Sequence, residues 1–573
     1  MSTDTERAAA QPTFAQLFTP KLVTVLREGY GLSEFQRDLF AGLTVAVVAL
    51  PLSMAIAIAS GVSPDRGLFT AIIGGFIVSA LGGSRFQIGG PAGAFIVLVA
   101  ATVDRHGVDG LLLATMIAGV VLITIGYLRL GTYIKFIPYP VTVGFTAGIG
   151  VIIFSSQLKD LFGLTLQGKE PGEFVPKLLA LAEAASSVNP AATGIALLTV
   201  LTILGLKRWR PGLPGMLLAV AAAAVVTAAM NLPVETIGTR FGGIPSGLPA
   251  PGLPPFSLAK VQAVLPDAVA FALLGAIESL LSAVVADGMS GRRHRSNCEL
   301  VAQGVANIGS ALFGGICVTG TIARTATNIR AGAHGPVSGM LHSIFLLGFM
   351  LVAAPLASYI PLAALAGVLA VVAWNMVEKN AFAALIRSSR GDAAVLLATF
   401  ALVVFRDLTE GIVVGFLLGS VLFIDRMAKS IEVSTHTTLV VDDKADASNG
   451  GRAAYDPDIA ADPDTVIYRI SGAFFFGAAA AVGTVLDRIA DHRRNFILDC
   501  SAVPFLDSTA ANVIEGAAHK ARRAGVQMFI TGASPELRRM LMTHGVRPPL
   551  VRYKATIESA LLQLKGKSAA ATV

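Results

Sequence analysis

Charge is scarce in this chain. Only 14% of its 573 residues are Asp, Glu, Lys or Arg, while 54% are hydrophobic. An average soluble protein carries about 25% charged residues, so a water-soluble fold is excluded for most of the length. Cysteine is scarcer still. Cys298, Cys317 and Cys500 lie far apart and form no C-x-x-C, which leaves neither a disulfide framework nor a zinc site. No catalytic triad, phosphate-binding loop or metal-ligand spacing appears, so the sequence implies no enzyme, no cofactor and no metal. Met1–Phe14 lacks the apolar region of a signal peptide, and the N-terminus is expected in the cytoplasm. The net charge of +7 is spread over short gaps between apolar segments, which argues against nucleic acid as a partner.

Long apolar runs are what the chain has instead. Segments able to span or half-span a bilayer fall near 39–60, 68–82, 91–103, 110–128, 139–155, 191–206, 214–231, 263–286, 297–313, 323–332, 337–357, 362–376, 392–405 and 409–427. These make two sets of seven. Ser79-Ala80-Leu81-Gly82-Gly83 leads to Pro91, and Ser310-Ala311-Leu312-Phe313-Gly314-Gly315 leads to Ala323-Arg324 at the same distance. In each set the third member is thus a helix that begins after glycine-rich chain, the pattern of discontinuous helices in secondary transporters. An odd number of spans per set inverts one repeat relative to the other. Such breaks are tolerated at membrane depth only where they line a cavity or are buried in protein. A helix that starts there aims unpaired N–H groups and its positive dipole end inward, so two of them suit an anion.

Orientation follows from the basic residues. Lys207-Arg208-Trp209-Arg210, Arg292-Arg293-His294-Arg295, Lys379, Arg387, Arg390, Arg426, Lys429, Arg129 and Lys135 share one side, which the positive-inside rule makes cytoplasmic. Both termini come out there, and the segments 156–190, with Lys159, Lys169 and Lys177, and 232–262 come out on the opposite side. After Lys429 the sequence turns polar. Residues 431–464 read as a linker, 465–564 as a small soluble α/β domain, and 565–573 as a tail. Strands are expected over 467–470, 495–499 and 527–531, and helices over 478–490 and 508–524, giving a mostly parallel sheet.

The motifs carry a resemblance. Arg37-Asp38-Leu39-Phe40-Ala41-Gly42-Leu43-Thr44, Pro51, Gly67-Leu68, Gly275-Ala276-Ile277-Glu278-Ser279 and Thr319 to Asn328 resemble the SulP family of anion transporters, and Leu506-Asp507-Ser508-Thr509-Ala510 resembles the STAS signature. The match runs from Phe35 to Leu564. It implies an α-helical polytopic membrane protein of about 14 segments in two inverted 7-helix repeats, about 39–231 and 263–427. These divide into core and gate domains within a transporter domain at 39–430. A cytoplasmic segment at 1–38 precedes it and a cytoplasmic STAS domain follows. It also implies a homodimer in a bacterial inner membrane.

The resemblance places the anion between the N-termini of the third and tenth helices, at Gly90, Pro91, Ala92 and Gly93 on one side and Ala323, Arg324 and Thr325 on the other. An arginine inside a membrane faces a cavity or a partner, and its planar fork fits carboxylate or sulfate. Arg324 is therefore read as the substrate's counter-charge, with an ion pair to Glu278 as the structural alternative. Glu278 stands in an apolar helix, where a carboxylate tends to hold a proton unless paired. It is the expected proton-coupling group. Ser282, one turn on, is expected to touch substrate or a coupling ion, or to bond its own helix. Pro51 is read as a kink. Leu52-Ser53-Met54 follows it where many sulfate-transporting relatives have a glutamine, and this apolar wall suits a carbon chain. With Gly82 to Phe86 and Trp374-Asn375-Met376, it points to the bacterial C4-dicarboxylate carrier branch. Asp507 or Ser508 caps a helix, and in related STAS regulators the matching serine is phosphorylated.

The sequence thus reads as a secondary active anion transporter, with proton-coupled uptake of C4-dicarboxylates such as succinate and fumarate. Sulfate and bicarbonate are the alternative substrates, and an anion channel or a membrane sensor is the alternative class. Its partners are a small anion with a co-transported proton or cation, membrane lipid, and a cytoplasmic protein at the STAS domain.

Overall fold

The computed structural model describes residues 13–132, 138–168, 170–210, 213–406, 408–430, 432–435, 465–475 and 494–570. The helix expected over 478–490, the expected linker from 436 to 464, the last three residues of the tail, Lys135 and Lys169 lie outside them. The chain divides into two compact units, Met1–Leu417 and Leu418–Val573.

The first unit begins with α1 (Phe14–Phe18) and α2 (Lys21–Glu28), then α3 (Leu32–Ala59) with Pro51 inside it. Next come α4 (Pro64–Phe69) and α5 (Gly75–Leu81), joined by a π-turn at Thr70–Gly74, then β1 (Gly89–Gly90). A 3-10 turn at Gly93–Phe95 opens α6 (Ile96–Tyr127), which Gly107 divides with φ at +68°. That break falls between the third and fourth expected segments. Then follow α7 (Tyr139–Phe162), α8 (Phe174–Glu183), α9 (Pro190–Trp209), α10 (Gly215–Ala229) and α11 (Ile237–Phe241). The chain continues through α12 (Leu258–Ser290), α13 (Ser296–Leu312), β2 (Thr319–Gly320), α14 (Ile322–Arg330) and α15 (Val337–Ala357). Last come α16 (Leu362–Met376), α17 (Lys379–Ser388), α18 (Arg390–Phe405) and the beginning of α19 (Leu408–Lys429), a helix that runs past Leu417 into the second unit. Among the described residues nine helical stretches are long and apolar enough to cross a membrane. The protein is a multi-pass membrane protein.

Several helices outrun their apolar runs, because caps rather than hydropathy end a helix. Ser257 accepts from Lys260 N at 3.2 Å to start α12, and Gly291, with φ at +69°, ends it. Gly163 in left-handed geometry stops α7 beyond Lys159 and Asp160, so the helix continues into the segment assigned to the loop at 156–190. The helices pack in two groups. α3, α5, α6, α12, α13, α14 and α15 form one, and α7, α9, α10, α16 and α18 the other, with α3 against both.

The second unit holds a five-stranded sheet in the order β3-β4-β5-β6-β7, from Glu432–Thr435, Thr465–Ser471, Asn495–Ala502, Gln527–Thr531 and Arg552–Lys554. β4 to β7 are parallel and β3 is antiparallel to β4. Residues 432–435 were expected in a linker, so this is a correction. A four-residue strand of mixed polarity carries no period that would betray it. Helices α20 (Ser508–Arg523), α21 (Pro535–Thr543) and α22 (Ile557–Ala570) complete the unit.

Candidate functional site

The two glycine-rich breaks, before Pro91 and before Ala323, pair with each other. Gly89 lies opposite Gly320 and Gly90 opposite Thr319 in an antiparallel ribbon. The stitching continues past the strands. Thr321 N and Thr321 Oγ1 both donate to Ile88 O at 3.0 Å, and Ile88 N donates to Thr325 Oγ1 at 3.1 Å. Extended backbone inside a membrane must satisfy its polar groups within the protein, and here each break satisfies the other. The ribbon brings the two helix starts together. Neither Ala92, before the Gly93 turn, nor Thr321, before α14, caps its helix with a side chain, so first-turn amides keep their hydrogens for another acceptor.

Arg324 sits in the first turn of α14 at 1% exposure. Its Nη2 donates to Ser53 Oγ at 3.1 Å and to Pro91 O at 3.4 Å. Its Nε and Nη1 are buried without an acceptor. The guanidinium lies so close over Gly90 that any Cβ there would run into it, which explains a glycine at that position. The alternative ion pair with Glu278 is not formed. Glu278, 8% exposed on α12, has no hydrogen bond or ion pair among the described residues. A buried carboxylate and a buried guanidinium, each short of partners, thus stand on neighbouring helices of one bundle.

Ser282 joins those helices. Its hydroxyl donates to Thr325 Oγ1 at 3.2 Å, and both residues are fully buried. The alternative, a bond to its own helix, does not occur. Gly93 faces the second helix group, where a Cβ would lie 3.2 Å from Ile153 Cδ1 and 3.7 Å from Met376 Sδ. Ala323 is exposed beside Ile322, whereas Ala92 is buried. Gly90, Pro91, Ser282, Arg324 and Thr325 therefore form one cluster, with Gly93 and Ala323 at its edge.

Two polar residues escape a reading of the sequence. Ser53 meets Arg324, whereas its neighbour Met54 lines an apolar cleft of about 430 Å³ between α3, α10 and α15. The wall presented to Arg324 is thus a hydroxyl rather than Leu52 or Met54. Gln87, in the gap before β1, bonds to α12 and α13. Proximity to Pro51 was the only sequence signal for Ser53, and Gln87 had none.

In the second unit Asp507 caps α20, accepting from Ala510 N at 2.8 Å, and Ser508 is exposed in its first turn. Asp499, buried on β5, accepts from Arg469 Nε at 2.7 Å, Ser501 Oγ at 2.9 Å and Thr531 Oγ1 at 3.2 Å. This carboxylate is spent on holding three strands together.

This chain is similar to known proteins of one family. Residues 35–399 match the sulfate permease family and residues 456–560 match the STAS domain. The Bacillus subtilis protein YvdB, whose name refers to sulfate transport, is 40% identical over 522 residues, 91% of this chain and 95% of its own length. The bicarbonate transporter BicA of Synechocystis is 34% identical over 514 residues, covering 88% of this chain and 90% of BicA. The solved transmembrane domain of a cyanobacterial BicA aligns with a TM-score of 0.60 at 34% identity, covering 68% of this chain and 98% of that one. Murine Slc26a9, an anion transporter solved in the inward-facing state, shares the fold at a TM-score of 0.83 and 18% identity, covering 98% of this chain and 97% of its own. With a family match over more than half its length, the chain belongs to the sulfate permease (SulP) family of anion transporters and carries a C-terminal STAS domain.

Proposed function

We propose that this protein is a secondary active importer of a compact oxyanion, bicarbonate or sulfate, with the anion held between the third and tenth helices. The carrying observation is Arg324, buried beside two helix starts with two of its nitrogens lacking an acceptor. A charge-assisted bond there supplies affinity, and the free amides of Gly93 and Ala323 supply further donors. The names of YvdB and BicA supply the substrate classes, and Ser53 facing Arg324 suits a small, fully polar ion. C4-dicarboxylates are the second reading. Ile322 and Ala323, exposed next to Arg324, offer a carbon chain some apolar surface.

Coupling belongs to Glu278, which takes up a proton or another cation, with Ser282 and Thr325 completing that side. The two sevenfold sets act as inverted repeats, one helix group rocking against the other in alternating access. The protein works as a homodimer in a bacterial inner membrane with both termini cytoplasmic. Ser508, at the start of α20, is its modification point for a cytoplasmic partner.

Competition for radiolabelled uptake into proteoliposomes tests the reading across bicarbonate, sulfate, succinate, fumarate and chloride. Sulfate and bicarbonate competing best, with uptake running uphill under an imposed gradient, supports it. Succinate competing best moves the assignment to dicarboxylates, and flux that only follows the anion's own gradient moves it to a channel.

A further inference from the structure

Gln87 ties together three elements that surround the site. It is 3% exposed. Its Nε2 donates to Ser279 Oγ at 2.7 Å and to Glu299 Oε1 at 3.0 Å. Its side chain lies flat on Gly320, where a Cβ would collide with it. Ser279 follows Glu278 on α12, Glu299 is on α13, and Gly320 is the ribbon residue four positions before Arg324. Glu299 is fully buried and accepts also from Ser84 N at 2.9 Å and Gln303 Nε2 at 3.3 Å. These donors are neutral, and no basic side chain pairs with it among the described residues. One primary amide thus spends both hydrogens on bridging the helix of the coupling carboxylate to a fixed acceptor, while its body supports the ribbon.

Hydrogen bonds of this kind fade once the heavy atoms separate beyond about 3.5 Å. A shift of α12 by roughly 1 Å at Ser279 is enough to break the bridge. The bridge therefore favours one placement of α12 relative to the ribbon, and with it one placement of Gly90 against Arg324. We propose that Gln87 is a positioning residue, linking the state of Glu278 to the geometry of the anion site through Ser279 and Gly320. The proposal rests on the reading of Glu278 as the coupling group. It adds the physical link that such coupling requires, an element whose equilibrium both sites bias.

The test uses the full-length protein in proteoliposomes with radiolabelled sulfate and, in parallel, radiolabelled bicarbonate. Two quantities are compared, counterflow without any cation gradient and accumulation under an imposed proton or sodium gradient. Ser279→Ala removes one hydroxyl and leaves Gln87 bonded to Glu299, so folding is spared. It should keep counterflow near the wild-type rate and reduce gradient-driven accumulation by about fivefold or more, the scale of a lost coupling. Gln87→Asn, too short to span both acceptors, should do the same, and Ser279→Thr should restore accumulation. Accumulation unchanged in both variants overturns the proposal. Counterflow and accumulation falling in step also overturns it, because that is what loss of plain structural support does. Glu278→Gln is the control for the underlying reading. If it accumulates anion like the wild type, or if the wild type moves neither anion, the functional assignment fails rather than this link alone.

Discussion

Arg324 is costly to bury, and its environment says what offsets the cost. Two hydrogen bonds to Ser53 and Pro91 leave two nitrogens unmatched, and the proposed anion would complete the set. Removing a hydrogen bond to a charged group costs about 1.5–3 kcal/mol. Arg324→Ala should therefore weaken anion binding by about tenfold to a hundredfold, with thermal stability near the wild-type value. Arg324→Lys should fall between, because an ammonium keeps the charge but not the planar fork. Unchanged affinity in a folded Arg324→Ala protein would remove Arg324 from the site. At Glu278 the expected signature differs. Glu278→Gln keeps the shape but cannot titrate, so anion exchange should persist while accumulation under an inward proton gradient is lost. Retained accumulation would make Glu278 a structural residue only.

Helix starts and their supports are the elements on which the proposed site depends. A leucine at Gly93 would have to pass Ile153 and Met376 at the boundary of the two helix groups. Gly93→Leu should block uptake without unfolding the protein, and wild-type uptake would place the anion elsewhere. Beside the glycine-rich gap after α5, α2 is strapped down. Lys21 N donates to Gly82 O at 2.9 Å, Arg295 Nη1 donates to Thr19 O at 2.8 Å and Thr24 Oγ1 at 3.0 Å, and Glu28 pairs with Arg85. The Arg85 guanidinium holds the Glu28 carboxyl below its ordinary 4.5. A depressed carboxylate contributes above its unfolded pKa and stops contributing as pH falls through the folded value. Hydrogen exchange across Lys21–Glu28, taken relative to the intrinsic amide rate at each pH, should thus be slow at neutral pH and rise only as pH falls below about 4.5. Glu28→Gln should raise it at neutral pH and abolish the acid-side step. No such step in the wild type would show that the ion pair does not hold the strap.

These elements also show what a sequence can disclose. Apolar runs announced the membrane helices because burial in lipid needs length and hydropathy alone. The repeated breaks were visible as glycine-rich gaps, and so were Arg324 and Glu278, since charge in an apolar run stands out. The ribbon was not visible. Two strands of two residues, Gly89–Gly90 and Thr319–Gly320, have no period, and their pairing joins residues some 230 positions apart. Ser53, Gln87 and Ser279 are ordinary polar residues whose partners exist only after tertiary packing, so even where a motif includes Ser53 or Ser279 nothing local shows what each one bonds.

At the scale of the whole molecule the chain builds two separate interiors. Membrane helices bury one large cluster that includes Met54, Phe95, Phe271 and Leu300. The second unit buries its own around Phe474, Phe496, Ile514 and Ile530. All three cysteines are free and buried, and burial pushes the Cys500 thiol up to about 12, so it is neutral and unreactive at physiological pH. Two interiors allow two unfolding steps. In mild denaturant Cys500 should become reactive to a maleimide before Cys317, which lies within the membrane cluster. Simultaneous labelling would mean that the two units unfold as one. The same division bears on function, because every residue of the proposed anion site belongs to the first unit. A chain ending near residue 430 should therefore still accumulate anion in proteoliposomes, at a rate within a few-fold of the full-length protein. The STAS domain then modulates transport rather than performing it. If the shortened protein is folded, binds anion and yet moves none, the domain is part of the transport cycle and the reading of it as a regulatory attachment is wrong.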